Sequence, residues 1–386
     1  MHREAAARHD VHMQRPTTDG APLVLLAAGG TGGHLFPAEA LAAVLARRGI
    51  VVDLVTDERA ERYGTAFPAR NLHLVASATV RGHDPLSLAR TATLLGAGTV
   101  QAWRLIGRIR PSAVVGFGGY PTVPPVLAAT LRRIPTLIHE QNAVMGRANR
   151  LLAARVTAIA TGFAGVLAGT AALAAKATRT GNPVRPAVVA AAATPYAAPE
   201  AGGPLRLLVF GGSQGARVMA DIVPAAVERL APDLQPRLSV VQQAREEDLA
   251  RVKAAYTRAQ VAAEVAPFFA DLPARMAASH LVVSRSGAST VAELAAIGRG
   301  AILVPLPHAL DQDQSANAGV LANAGGAMRL LQDDFTPERL AAEIGALASA
   351  PQKLVAMAAA ARSQGAIDAA ERLADLVVNT IGGDPR

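Results

Sequence analysis

The chain has 386 residues, 51% hydrophobic and 18% charged, with no cysteine. It is too long for one ordinary domain and too apolar to be disordered. The missing cysteine excludes a disulfide framework, a thiolate nucleophile and a Cys-based metal site, and is compatible with a reducing cytoplasm. The net charge of +8 is uneven: residues 1–183 hold 20 Lys+Arg against 10 Asp+Glu, and residues 184–386 hold 18 against 20. A basic first half suits an acidic partner (anionic lipid, a phosphorylated substrate or nucleic acid), although a merely soluble basic surface gives the same count.

Met1–Gly20 is polar and mixed in charge, with no apolar core, so it reads as a disordered tail and not a signal peptide. The strand Leu23–Ala27 then runs into Gly29-Gly-Thr-Gly-Gly-His34. Glycine permits a tight turn there and lets backbone N–H groups approach a phosphate at a helix N-terminus. A nicotinamide-binding Gly-x-Gly-x-x-Gly is not met, because Leu35 stands at the last glycine position. The following helix places Pro37 in its first turn, presents Leu41, Val44 and Leu45 on one face, and ends on Arg47, Arg48 and a capping Gly49. Further strands are expected at Val51–Thr56, Leu72–Val75, Ala113–Gly116, Thr136–His139 and Ala158–Thr161.

Between them, Arg81–Arg110 carries Arg81, Arg90, Arg104, Arg108 and Arg110 against Asp84, with Leu86, Leu94, Leu95, Trp103 and Ile106 as apolar groups. This segment suits an anionic membrane surface, or is an ordinary amphipathic helix burying its apolar face. Gly116-Phe-Gly-Gly-Tyr120 is a second strand-end glycine turn. His139-Glu-Gln-Asn142 is a polar cluster that is either structural or faces a cleft at a strand's carboxyl end. The uncharged run Val156–Ala175 is rich in Ala, Gly and Thr, so it reads as a buried strand and short helix, not a membrane span. Gly181–Pro204 holds five prolines and reads as a linker, in which Arg185 either reaches a ligand or fixes the chain.

The second half repeats the plan, with strands expected at Leu205–Phe210, Leu238–Gln242, Ala262–Val265, Leu281–Ser284, Ala301–Pro305 and Met328–Leu331. Gly211-Gly-Ser-Gln-Gly-Ala216 follows the first of these, adding the Ser213 hydroxyl, and opens a helix over Met219–Leu230. Ser284-Arg-Ser-Gly-Ala-Ser-Thr290 joins another strand to a helix. Ser286 to Thr290 offer N–H and hydroxyl donors, and Glu293 is either a capping-box acid for Thr290 or an acceptor for ribose hydroxyls. Asp311-x-Asp313 is a weak metal pattern. Gln314 and Asn317, at i and i+3, put two amides on one helical face and favour sugar hydroxyls over a metal. Ile367–Ile381 is a last helix. Alternating strands and helices in both halves predict two parallel sheets whose carboxyl edges face each other.

These motifs, in this order, resemble the MurG family of bacterial cell-wall N-acetylglucosaminyltransferases: Gly29–His34, His139–Asn142, Gly181–Arg185, Gly211–Ala216, Ser284–Gly287 and Gln314-x-x-Asn317. The resemblance runs from Leu23 to the C-terminus. It implies an α/β GT-B fold of two Rossmann-like domains facing a cleft. The divisions are a tail at 1–20, an acceptor- and membrane-facing domain at 21–183, a UDP-sugar domain at 184–365, and a C-terminal helix at 366–386, for which packing on either domain, including back on the first, stays open. It implies transfer of GlcNAc from UDP-GlcNAc to the MurNAc 4-hydroxyl of undecaprenyl-pyrophosphoryl-MurNAc-pentapeptide (lipid I), giving lipid II at the cytoplasmic face of the inner membrane. Neither a cofactor, a metal nor a nucleic-acid partner is implied.

Carried across, the donor site falls on Asn142, Arg185, Ser213, Ala288, Ser289, Thr290, Glu293, Gln314 and Asn317, with Phe269 offering its backbone to uracil. Thr31, Gly32 and Gly33 match donor contacts too, although that turn also suits the acceptor diphosphate. The expected general base is His34, whose ordinary pKa of about 6.5 fits the task. Ser289 departs from a commonly larger apolar residue, Asp313 stands where Gln occurs, and Pro121–Pro125 also departs. Another GT-B transferase with a different lipid acceptor, a UDP-GlcNAc epimerase of similar fold, and a non-catalytic nucleotide-binding scaffold are the alternatives.

Overall fold

The computed structural model describes residues 20–29, 32–57, 67–77, 85–200, 202–212 and 215–382. Thr31, Ser213, Arg81 and nearly all of the expected tail lie outside the described residues, as does the side chain of Leu86. The first domain runs β1 (Leu23–Ala27), α1 (Gly32–Arg47), β2 (Val51–Thr56), β3 (Leu72–Leu74), α2 (Pro85–Ile109), β4 (Ala113–Gly116), α3 (Val123–Leu131), β5 (Thr136–Glu140), α4 (Arg147–Ala153), β6 (Ala158–Thr161), α5 (Ala171–Ala174) and β7 (Ala177–Arg179). After α6 (Pro186–Ala191) the second domain runs β8 (Leu205–Phe210), α7 (Arg217–Val227), β9 (Leu238–Gln243), α8 (Glu246–Arg258), β10 (Ala262–Ala266), α9 (Leu272–Ala278), β11 (Leu281–Ser284), α10 (Ala288–Ile297), β12 (Ala301–Leu303), α11 (Asp313–Asn323), β13 (Ala327–Arg329), α12 (Pro337–Ala348) and α13 (Pro351–Ser363). Last comes α14 (Ala369–Gly382).

All pairings described are parallel, in the orders β3-β2-β1-β4-β5-β6-β7 and β10-β9-β8-β11-β12-β13. Both sheets are covered on both faces, which is why their central strands are continuous apolar runs: β1 and β4 are buried throughout. Strand order reverses between β1 and β4 in one sheet and between β8 and β11 in the other, the switch points where such sheets bind ligands. The glycine turns lie after those strands.

Four expectations need correction. Pro37 is the sixth residue of α1, not part of its first turn, because the helix starts at Gly32. Its missing N–H leaves the Gly33 carbonyl without the usual i+4 donor. The three-residue β7 was not expected; its residues are at most half-buried, so no apolar run announces it. The proline-rich 181–204 segment is no loose linker: Val184, Val188, Ala191 and Ala192 are buried in one core with α10 side chains. Ile106, expected at a membrane surface, is 1% exposed and sits in the first domain's core.

Helix α14 lies against α1, burying Leu373, Ala374 and Val377 in the first domain. Arg47 and Arg48 pair with Glu371 and Asp375 across that contact at 2.5–2.6 Å. The chain therefore crosses between domains twice, near Gly181 and near Gly365. At Gly181, φ is +84° and an added Cβ would stand 2.5 Å from the Ala366 Cβ, so glycine is needed where the crossings touch. Among the described residues, no single helix is long and apolar enough to cross a membrane.

Candidate active site

Both glycine turns of the first domain converge on His34. This residue is in the first turn of α1, and Gly118 and Gly119, after β4, adopt φ of +81° and +75°. An added Cβ at either would lie 3.3–3.4 Å from the imidazole and press on the ring, and the positive φ favours glycine at both positions. His34, Gly29, Tyr120, Glu140 and Asn142 from the first domain, with Asp311 and Asp313 from the second, line a cavity of about 360 Å³.

Glu140 ends β5 and organises the next loop. Its Oε1 accepts from the Asn142 N–H and Nδ2 (2.9 and 3.2 Å), and its Oε2 from the Gly146 N–H and Asn149 Nδ2 (2.9 and 2.8 Å). Burial raises the Glu140 pKa, and these four donors oppose the rise. His139 is fully buried: its Nε2 lies 3.0 Å from the Gly181 carbonyl, and its Nδ1 accepts from Gln141 Nε2. Burial holds its pKa down at about 4, so it is neutral near pH 7.

The second domain supplies helix N-termini. In α10 the Val291 N–H bonds to the Gly287 carbonyl, which leaves the N–H groups of Ala288, Ser289 and Thr290 outside the helix ladder. Ser289 Oγ is buried and hydrogen-bonds to no described residue. Glu293 caps nothing: it is buried in the helix body, and its Oε1 accepts from Arg185 Nη2 at 2.9 Å. Burial raises its pKa and Arg185 opposes this. Arg185 also stacks over Phe36 of α1, 4.4 Å from the ring centroid. It therefore joins α1 to α10, a stronger constraint than fixing a linker.

Asn317 does not offer a free amide to a sugar. It is fully buried; its Oδ1 accepts from the Ala143 N–H (2.8 Å), and its Nδ2 donates to Asn142 Oδ1 (3.0 Å) and the Ser286 carbonyl (3.3 Å). It is a clasp between the domains. Gln314 Oε1 accepts from the Leu306 N–H, and its carbonyl accepts from Ser286 Oγ. The two aspartates of Asp311-x-Asp313 have separate partners: Asp311 pairs with Arg147 of the first domain at 3.4 Å, and Asp313 accepts from the Gln314 N–H at 2.7 Å. Burial raises the Asp313 pKa and the charges of Glu140 and Asp311 add to the rise, while the Gln314 N–H and, least of all, His34 oppose it. The Phe269 ring is buried under the Arg275 guanidinium, in the loop after β10.

Sequence reasoning missed three supporting residues. Asn149 and Arg147 sit on α4, and Gln243 ends β9, accepting from the Gly211 N–H and donating to the Pro267 carbonyl. Gln243 thereby joins the second glycine turn to the Phe269 loop. A polar doublet, Gln242-Gln243, at the end of an apolar strand was the available signal.

Comparison with known proteins agrees with this geometry. Residues 24–161 match the glycosyltransferase family 28 N-terminal domain and residues 206–373 its C-terminal domain. A UDP-N-acetylglucosamine--N-acetylmuramyl-(pentapeptide) pyrophosphoryl-undecaprenol N-acetylglucosamine transferase of Rhodopseudomonas palustris (strain BisB18) is 67% identical over 362 residues, covering 94% of this chain and 96% of the relative. The protein of that name from Bradyrhizobium sp. (strain BTAi1) is 63% identical over 365 residues, covering 95% and 100%. The crystal structure of Acinetobacter baumannii MurG superposes with a TM-score of 0.76 at 30% identity, covering 93% of this chain and 99% of that one. A UDP-GlcNAc 2-epimerase from Neisseria meningitidis, at 15% identity and a TM-score of 0.64 with 93% and 99% covered, shares the fold alone.

Proposed function

The chain belongs to the MurG family of UDP-N-acetylglucosamine--N-acetylmuramyl-(pentapeptide) pyrophosphoryl-undecaprenol N-acetylglucosamine transferases, and on that footing we propose that it moves GlcNAc from UDP-GlcNAc to the MurNAc 4-hydroxyl of lipid I. The observation that carries this reading is one cavity at the first domain's switch point, with His34 on one wall and Asp311 and Asp313 of the second domain on the other. The acceptor hydroxyl gives its proton to His34 as it attacks the anomeric carbon, inverting it. A positioned base of this kind is worth roughly 10²- to 10⁴-fold in rate. UDP departs with growing negative charge. The N–H groups of residues 288–290 and the positive end of α10 hold that charge without reorganising. Gly32 and Gly33, opening α1, offer the acceptor diphosphate the same chemistry.

The membrane-facing surface lies on α2 and the end of α3. Val100, Trp103 and Leu131 are 49%, 46% and 65% exposed. Arg132 lies over the Trp103 ring at 3.8 Å, with Arg104 and Arg108 on the same helix. Each such cation is worth about 1 kcal/mol at an anionic leaflet, giving reversible peripheral attachment. Labelled UDP-GlcNAc incubated with lipid I tests the activity: lipid II and UDP should form in equal amounts, and no product would overturn the assignment. His34→Ala should lose at least about a hundredfold in turnover at saturating acceptor, while near-normal turnover would remove the base role.

A further inference from the structure

A second crevice crosses the domain seam, away from both switch points. Arg179 is the last residue of β7, and Arg329 is the last residue of β13. These strands are the final edges of their respective sheets, so the two arginines stand at corresponding places on the two domains. Together with Gly319, Val320, Asn323 and Gln364 they line a cavity of about 370 Å³. No residue of the catalytic cavity is shared with it.

The charges there are uncompensated. Among the described residues neither arginine pairs with an acid, and the one hydrogen bond either makes is Arg329 Nη1 to the Ser315 carbonyl at a long 3.4 Å. Two cations on facing domains repel unless something negative lies between them. A guanidinium is a planar fork that grips a phosphate through two parallel N–H donors. Asn323 and Gln364 add amide donors for further oxygens, and Gly319 with Val320 make a small, apolar floor.

We propose that this crevice is a binding site for a small anion of the diphosphate class, one phosphate taken by Arg179 and the other by Arg329. Such a ligand fastens the domains together at a place that shares no residue with the catalytic cavity. Helix α11 carries the consequence, because its N-terminal Asp313 lines the catalytic cavity while Gly319, Val320 and Asn323 line this one. Occupancy favours the closed pairing of the domains, and any gain in donor affinity is matched by an equal gain for the anion.

The test is calorimetric titration of the full-length protein with inorganic pyrophosphate at low ionic strength, with UDP saturating so that the donor diphosphate site is filled. Wild type should bind pyrophosphate, weakening as salt is added. Arg179→Gln and Arg329→Gln should each weaken it about tenfold or more, the scale of one lost bidentate contact. Arg229→Gln, an exposed arginine paired with Glu338, serves as the control and should leave it unchanged. No pyrophosphate binding by UDP-saturated wild type would overturn the proposal. So would binding that survives both substitutions, since that anion would sit on a glycine turn instead.

Discussion

Replacing Asn317 by alanine removes the clasp while leaving both cores intact. The substitution strips the Ala143 N–H and Asn142 Oδ1 of their 2.8 and 3.0 Å partners, and the Ser286 carbonyl of a weaker one at 3.3 Å. A buried polar group left unsatisfied costs about 1–3 kcal/mol, so the two short bonds together put about 2–6 kcal/mol on the closed arrangement. Since the bonds cross the seam, this appears as lost kcat/KM for UDP-GlcNAc, from roughly 30-fold up to the order of 10⁴-fold, with little change in the unfolding of the free protein. Asn317→Asp is a sharper probe. It keeps the Oδ1 acceptor for Ala143, but its second oxygen meets Asn142 Oδ1 and the Ser286 carbonyl, acceptor against acceptor. Asn142 cannot turn its amide to help without giving up its bond to Glu140. Aspartate should therefore be at least as damaging as alanine. The assay is UDP release with lipid I as UDP-GlcNAc is varied. A folded Asn317→Ala enzyme within about threefold of wild type, or a fully active Asn317→Asp enzyme, would refute the clasp.

Gly118→Ala should lower kcat more than it raises KM: the left-handed backbone costs a Cβ-bearing residue about 1–2 kcal/mol, and the new methyl presses on His34 from 3.4 Å. Steady-state kinetics separate the two effects. Glu293→Gln keeps an acceptor for Arg185 but removes the charge, and should raise the UDP-GlcNAc KM roughly 5- to 30-fold with kcat nearly unchanged. His139 and His280 are buried, each with its pKa lowered from 6.5 to about 4. Between those values the unfolded chain takes up protons that the folded chain refuses. Stability is therefore full above pH 6.5 and falls as the pH drops toward 4, by about 1 kcal/mol per unit for each histidine. Urea unfolding at pH 7, 6 and 5 should show this slope, and His139→Gln should reduce it by about half. Trp103→Ala should weaken sedimentation with anionic vesicles without changing activity on detergent-soluble acceptor.

The architecture and the glycine-rich turns that carry the site were legible in the chain pattern, while Asn149, Arg147 and Gln243 were not. Apolar strands such as Leu23–Ala27 and Leu205–Phe210 report burial on both faces, and the Gly211–Gly215 turn reports positive φ at Gly212 and Gly215 and close approach at Gly211. Both are local properties that a one-dimensional pattern records. Helix α10 and the His34 turn were legible for the same reason. What a polar side chain does once the domains meet is not local. Asn317 reads as a sugar ligand until the Ala143 N–H and Asn142, some 175 residues away in the chain, arrive to occupy it. Glu293 has capping-box spacing from Thr290, yet Arg185 claims it, because a buried carboxylate takes the nearest cation. The facing arginines at 179 and 329 lie on two different strands and become one feature only when the edges of both sheets are brought to a common seam. Chain pattern decides which elements form and what chemistry they carry. Only the packing of one domain on the other decides which of those groups remain free for a substrate and which are spent holding the cleft together.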